Sequence, residues 1–181
     1  METIATLTRR LAAHGRVDWI GLRPTRRGAM HHVSSALLAA HGLEGDHARA
    51  GLRAVTLIQG EHLPVIAALS GLPQVEPALL RRNIVVTGVN LLALRHREVR
   101  IGAALIHVNG PCAPCSRMEE ALGPGGYNAL RGHGGVRASV VQPGAVALGD
   151  PVVMIDGEIA GQRPASSETL DPGPKFDLPR P

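Results

Sequence analysis

The chain's only two cysteines, Cys112 and Cys115, stand in "NGPCAPCSRMEEALGPGGYNALRGHGG", which runs from Asn109 to Gly135. A thiol pair at this spacing can be half a zinc site, a redox dithiol, a ligand source for a metallocofactor, or two reduced side chains in a core. A structural zinc centre needs four ligands. The sequence has no second such pair, and His133 has no histidine partner at tight spacing, so His47 or His107 would have to converge from elsewhere. A thioredoxin-like dithiol sits at a helix start among alternating strands and helices. "SRMEEAL" supplies the helix start, but the flanking pattern is one of strands.

Three other stretches carry candidate chemistry. In "LRRNIVV", Arg81, Arg82 and Asn83 stand at a strand entry, where guanidinium groups and free backbone amides suit an anion. The alternative for such a triplet is a solvated turn. In "GLEGDH", Gly42 and Gly45 permit a tight turn that presents Glu44, Asp46 and His47. In "GHGGVR", Gly134 and Gly135 let a backbone approach a ligand closely, or else form an ordinary hairpin turn.

Composition narrows the classes. The chain has 181 residues, suited to one domain, and is 44% hydrophobic with one Trp, one Tyr and one Phe. A base-stacking nucleic-acid reader needs aromatic platforms that this composition does not supply. The formal charge of +4 suits a small anionic ligand better than a nucleic-acid surface. No apolar run approaches the ~20 residues of a membrane span, and "METIATLTRRLAAHGR" does not read as a signal peptide. Two cysteines without a secretion signal point to a reducing cytosol. Among the nineteen basic residues only Lys175 is a lysine, and it lies near the C-terminus. Arginine grips phosphate but cannot form a Schiff base, which argues against a pyridoxal-phosphate enzyme.

The elements that must position these residues are mostly short strands. "VDWIGLRP" reads as a strand ending before Pro24, followed by the basic turn "TRRG". "SSALLAAHG" fits a helical turn or a short strand, and "GLEGDHARAG" an exposed loop. "LRAVTLIQ", the block "PALLRRNIVVTGVNLLALRHREVRIGAALIHVNG" and the block "GVRASVVQPGAVALGDPVVMI" alternate apolar runs with Gly and Pro. Such spacing predicts a barrel or sandwich rather than strand–helix units. Helices are expected only in the first ~15 residues, over Glu61–Leu69 and over Ser116–Leu122. From Asp156 to Pro181 periodicity is lost, so the domain is expected over 1–155 with an irregular tail over 156–181.

Taken in order, "GLEGDH", "AVTLIQGEHL", "RRNIVVTGVNL", "IGAALIHVNGPCAPCSRMEEALGPGGYNALRGHGG" and "VALGDPV" resemble the MOSC domain, the C-terminal module of molybdenum-cofactor sulfurases, in its small free-standing bacterial form. The resemblance covers Trp19 to Val153. It implies a mainly β fold, a MOSC-type β-barrel with a few short flanking helices, and a molybdenum–pyranopterin cofactor. By pattern, Cys115 corresponds to the molybdenum ligand of amidoxime-reducing relatives, and Arg81 and Asn83 to the residues that hold the pterin's phosphate. Arg82, His47, Gly134 and Gly135 are candidates for the same pocket, and Cys112 is a second thiol without a transferable role. The resemblance implies a reductase of N-hydroxylated or N-oxide compounds that takes electrons from a separate donor protein. A sulfur carrier using a cysteine persulfide, or a protein that stores the cofactor, remain as alternatives. The sulfurases carry their pyridoxal phosphate on a desulfurase domain, which the resemblance over Trp19 to Val153 does not include, so pyridoxal phosphate is not expected here. If the pterin reading holds, Arg81 and Asn83 must share a cavity with Cys115, with glycines of "GHGG" or "GLEGDH" between them.

Overall fold

The computed structural model describes residues 1–156 and 158–159. Its strands in chain order are β1 (Arg10–Leu11), β2 (Gly15–Leu22), β3 (His31–Val33), β4 (Ser35–Ala39), β5 (Gly42–Leu43), β6 (Val55–Gln59) and β7 (Ile84–Thr87). They continue as β8 (Glu98–Ile101), β9 (Ala104–Pro111), β10 (Val136–Gln142), β11 (Gly144–Ala147), β12 (Pro151–Met154) and β13 (Glu158–Ile159). The helices are α1 (Ile4–Leu7), α2 (His62–Ser70), α3 (Pro77–Leu80), α4 (Ser116–Leu122) and α5 (Gly126–Ala129), with a 3-10 turn at Leu91–Leu94.

Seven strands close on themselves in the order β12, β8, β9, β10, β6, β7, β2, with β2 returning to β12. The fold is therefore mainly β, a closed barrel with a few short helices. Closure uses one edge of β2 twice: Gly15 and Arg16 pair with β12, while Ile20 to Leu22 pair with β3. Alternation along β9 sends Ala104, Ile106 and Val108 inward, where they meet Val17, Ile20, Leu57, Ile84, Val86, Ile101 and Val136. A three-stranded sheet, β11–β4–β5, adds Leu38, Leu43 and Val146 to that core.

One strand–helix–strand unit departs from the expected pattern. β6 and β7 run parallel, and parallel neighbours need a crossover, which α2 and α3 provide. The helices cover the barrel's outer face, so β6 and β7 are buried on both sides. Ile58 and Val85 point outward into a second core with Ile66, Leu80, Met118, Leu122 and Leu130. This second core fixes α3 and α4 relative to each other, and those two helices carry Arg81 and Cys115 at their ends.

Other expectations are adjusted in detail. α2 starts one residue later than expected, α4 matches Ser116–Leu122, and α3 and α5 are additional. The N-terminal helix shrinks to Ile4–Leu7 with no buried residue. "SSALLAAHG" resolves to strand β4, and Gly42–Leu43 of the expected loop is a buried strand. Of the segment expected to be irregular, Asp156 and strand β13, paired in parallel with β1, are described. Position 157 and positions 160–181 lie outside the described residues.

Candidate functional site

Arg81, Arg82 and Asn83 are consecutive but face three environments. Arg81 caps α3 in the left-handed conformation, φ 56°, which turns the chain sharply into β7. Its Nη1 donates to the Gly28 carbonyl at 3.1 Å, while its Nη2 is buried without a partner. Burial lowers the pKa of this guanidinium, with Arg23 and Arg117 acting the same way and Asp46 and Cys115 opposing.

Arg82 turns inward and is 4% exposed. Its Nε donates to the Gly134 carbonyl and its Nη1 to the Leu80 carbonyl, both at 2.8 Å, and its Nη2 is unpartnered. Burial lowers its pKa, and the nearby Cys112 opposes that shift. Asn83 is buried against β6, where its Oδ1 accepts from the Thr56 hydroxyl at 2.8 Å and the Thr56 backbone amide at 3.2 Å. Its Nδ2 reaches the Gly21 carbonyl at 3.4 Å. Asn83 therefore ties β2, β6 and β7 together, although it also lines the cavity described next.

Three cavities adjoin one another through shared arginines, and Arg81 lines two of them. The first, about 410 Å³, is lined by Arg23, Asp46, His47, Arg49, Arg53, Thr56, Arg81 and Asn83 among others. The second, about 390 Å³, shares Arg23, His47 and Arg49 with it and adds Arg26, Arg27 and Arg117. The third, about 880 Å³, shares Arg81 with the first and Arg27 and Arg117 with the second. Against these arginines the first cavity sets a single acid, Asp46, whose carboxylate is already engaged. It accepts from the Arg23 backbone amide at 2.6 Å and lies 4.0 Å from the Arg23 guanidinium. The His47 amide donates to the Arg23 carbonyl at 2.6 Å, so "GLEGDH" is clipped to the end of β2. An anion entering here meets an excess of fixed positive charge.

The cysteines differ. Cys112 is buried at the end of β9, its amide donating to the Gly135 carbonyl at 2.8 Å. Cys115 is exposed at the start of α4, directly before Ser116, which lines the third cavity. Glu119 locks the far side of that helix by accepting from the Gly125 and Tyr127 amides at 2.8 and 2.7 Å. Gly134 and Gly135 line none of the three cavities and serve as packing positions. A Cβ on Gly134 would stand 2.5 Å from the Cys112 carbonyl oxygen, and one on Gly135 2.0 Å from that of Leu57.

The structure thus brings Arg81, Asn83 and His47 to one cavity, sets Cys115 at the edge of its neighbour, and puts Arg82, Gly134, Gly135 and Cys112 behind them. His107 lies elsewhere, in a cavity with His96, Glu98 and Asp156. Among the described residues, no three His, Cys, Asp or Glu side chains converge as metal ligands. Sequence reasoning missed Arg23, Arg27, Arg49, Arg53 and Arg117 as site residues; of these only Arg27 lies in a stretch with a local signal, the basic turn "TRRG". No described helix is long and apolar enough to cross a membrane.

Comparison with known proteins bears on this arrangement. The MOSC domain family matches residues 44–153. Similar solved structures include the YuaD protein from Bacillus subtilis, 19% identical with a TM-score of 0.68 over 77% of this chain and 94% of that one. YiiM from Geobacillus stearothermophilus is 18% identical, with a TM-score of 0.65 over 78% of this chain and 75% of that one. YiiM from Escherichia coli is 24% identical, with a TM-score of 0.61 over 77% and 69%. At these identities the likeness is one of fold. No curated protein matches the chain.

Proposed function

The chain belongs to the MOSC domain family, and from that premise we infer that it binds a molybdenum–pyranopterin cofactor and reduces N-hydroxylated or N-oxide compounds, with electrons from a separate donor protein. The observation that carries this reading is the unpartnered, buried Nη2 of Arg81, in a cavity rich in arginine, with Cys115 at the edge of the adjoining cavity that Arg81 also lines. A buried guanidinium nitrogen without an acceptor is costly, and a ligand oxygen would relieve that cost.

The residues fit such a group at both ends. Arg81, Arg23, Arg49 and Arg53 would hold the phosphate, since guanidinium pairs bidentately with it. The exposed thiol of Cys115 is a soft ligand suited to the metal. When bound, the cofactor supplies two-electron oxygen-atom transfer, converting N–OH to N–H and water with two electrons and two protons. Arg82 orients the site from behind by holding the Leu80 and Gly134 carbonyls, and Asp46 keeps Arg23 aimed across the cavity. Two free thiols suit a reducing cytosol.

The test is the molybdenum content of protein produced in a host that makes the cofactor. About one metal per chain is expected, lost in Cys115→Ser and kept in Cys112→Ser. Loss only with Cys112, or equal loss with both, refutes the ligand assignment. The exposure of Cys115 also favours a second reading, a persulfide carrier, which predicts bound sulfane sulfur without metal. Molybdenum without turnover of any N-oxygenated compound would instead indicate a storage protein.

A further inference from the structure

The largest cavity beside Cys115 is not explained by the anion site. It lies between the segment after β2, the end of α3 and the outer face of α4. Part of its lining is apolar: Ala29, Met30, Ala78, Leu79, Met118 and Ala121, with Leu79 37% exposed. The same lining carries Arg27, Arg81 and Arg117, with Glu120 as its single carboxylate. At about 880 Å³ it has the size of a small-molecule pocket. Ser116, the neighbour of Cys115, brings it to the candidate reaction centre.

A lining that is both apolar and cationic calls for a ligand with an apolar part and an anionic one. Alanines and the unbranched Met30 make a smooth apolar surface that accepts a compact hydrocarbon body without shape-specific polar contacts. No aromatic side chain lines the cavity, so a stacked nucleobase is not what this lining favours. The cations number three to one carboxylate, and Arg117 takes part in none of the ion pairs among the described residues. We propose that this cleft is the substrate subsite, and that it selects amphipathic anions: a compact apolar body seated on Ala29, Met30 and Leu79, with a carboxylate or phosphate held by Arg27 and Arg117. The proposal rests on the reading above for the reaction, though the binding itself requires no cofactor.

The test uses the full chain and isothermal titration calorimetry with 4-tert-butylbenzoate and its neutral match, 4-tert-butylbenzamide. The carboxylate binds about ten-fold more tightly than the amide, because charge-assisted hydrogen bonds to arginine are at stake. Arg117→Gln weakens the carboxylate about ten-fold and leaves the amide unchanged, whereas Leu79→Asp weakens both. Equal binding of the two probes, or insensitivity to both substitutions, overturns the proposal. So does an Arg53→Gln variant that loses as much affinity as Arg117→Gln, because Arg53 lines only the neighbouring anion cavity. Selective binding by a chain that takes up no molybdenum supports the subsite and sinks the cofactor reading alone. A molybdenum-loaded chain that does not discriminate the probes sinks the subsite alone.

Discussion

The Arg82 guanidinium donates to the Gly134 carbonyl and to the Leu80 carbonyl, each at 2.8 Å, from a position that is 4% exposed. One side chain thereby joins the loop that presents Arg81 to the loop packed behind Cys112. Because the Cys112 amide donates to Gly135, the next residue, displacement of either loop is felt by the other.

Replacing Arg82 tests that coupling. Arg82→Met strands two buried carbonyls, each worth ~1–3 kcal/mol, and offsets part of that by removing a buried charge. A net loss of about 1–3 kcal/mol is expected in urea unfolding. Arg82→Lys should do little better, since an ammonium cannot span both carbonyls as a planar fork does. A lysine variant as stable as the parent would show that the fork geometry is unimportant.

The glycine loop separates two costs that sequence alone merges. Gly132 and Gly135 both have positive φ, 81° and 80°, but a Cβ on Gly132 meets nothing within 4 Å. Gly132→Ala should cost only the left-handed backbone term of ~1–2 kcal/mol. Gly135→Ala adds a collision with the Leu57 carbonyl inside the barrel wall and should prevent folding or cost several-fold more. Similar melting temperatures for the two variants would contradict the tight fit.

Much of the fold was legible because it depends on local signals. The alternation in "VDWIGLRP" marks β2, and the apolar spacing with flanking glycine marks α2 and α4. α3 and α5 were not legible: each has four residues, too few for a helical period to register. The parallel pairing of β6 and β7 was hidden because each run reads like a hairpin strand, and only the intervening helices force the crossover. In the site, "RRN" announced three polar residues but not their division. Arg82 and Asn83 are spent on backbone carbonyls and on Thr56, and Arg81 faces the cavity. The remaining cations come from separate loops and meet only in three dimensions.

Thiol labelling should distinguish the cysteines. Cys115 is exposed and Cys112 is 2% exposed behind Gly135. Under native conditions iodoacetamide should alkylate Cys115 at least about ten-fold faster, with the difference vanishing in urea. Equal native rates, read by peptide mass spectrometry, would contradict the burial of Cys112.

His62 gives the fold an acid sensitivity. Its ring stands edge-on to His133 at 5.0 Å, and burial, then the neighbouring His133, lowers its pKa below the ordinary 6.5. A histidine whose folded pKa is depressed favours the native state while neutral. That contribution is complete above about 6.5 and is lost as pH falls through this value toward the folded pKa. The urea midpoint should therefore drop between pH 7.5 and 5.5, and drop less in His62→Gln. An identical pH dependence in the variant would assign the effect to other groups.

Arg81 bears on both cavities, so its replacement is the most informative single change. Only one of its terminal nitrogens is used by the protein, in the 3.1 Å bond to Gly28; the other is buried and unpartnered. Its left-handed φ of 56° also strains any side-chain-bearing residue there. Arg81→Gly should relieve that strain and partly offset the lost Gly28 bond, leaving the urea midpoint little changed. Cofactor retention should nevertheless fall: a charge-assisted contact to phosphate contributes ~1.5–3 kcal/mol, equivalent to about ten- to a hundred-fold in affinity. Arg81→Lys keeps the charge without the fork and should fall between the two. The measurement is molybdenum retained per chain after gel filtration, alongside the unfolding curve of each variant. If Arg81→Gly keeps its metal as well as the parent does, the phosphate is held elsewhere, and Arg23, Arg49 and Arg53 become the residues to replace.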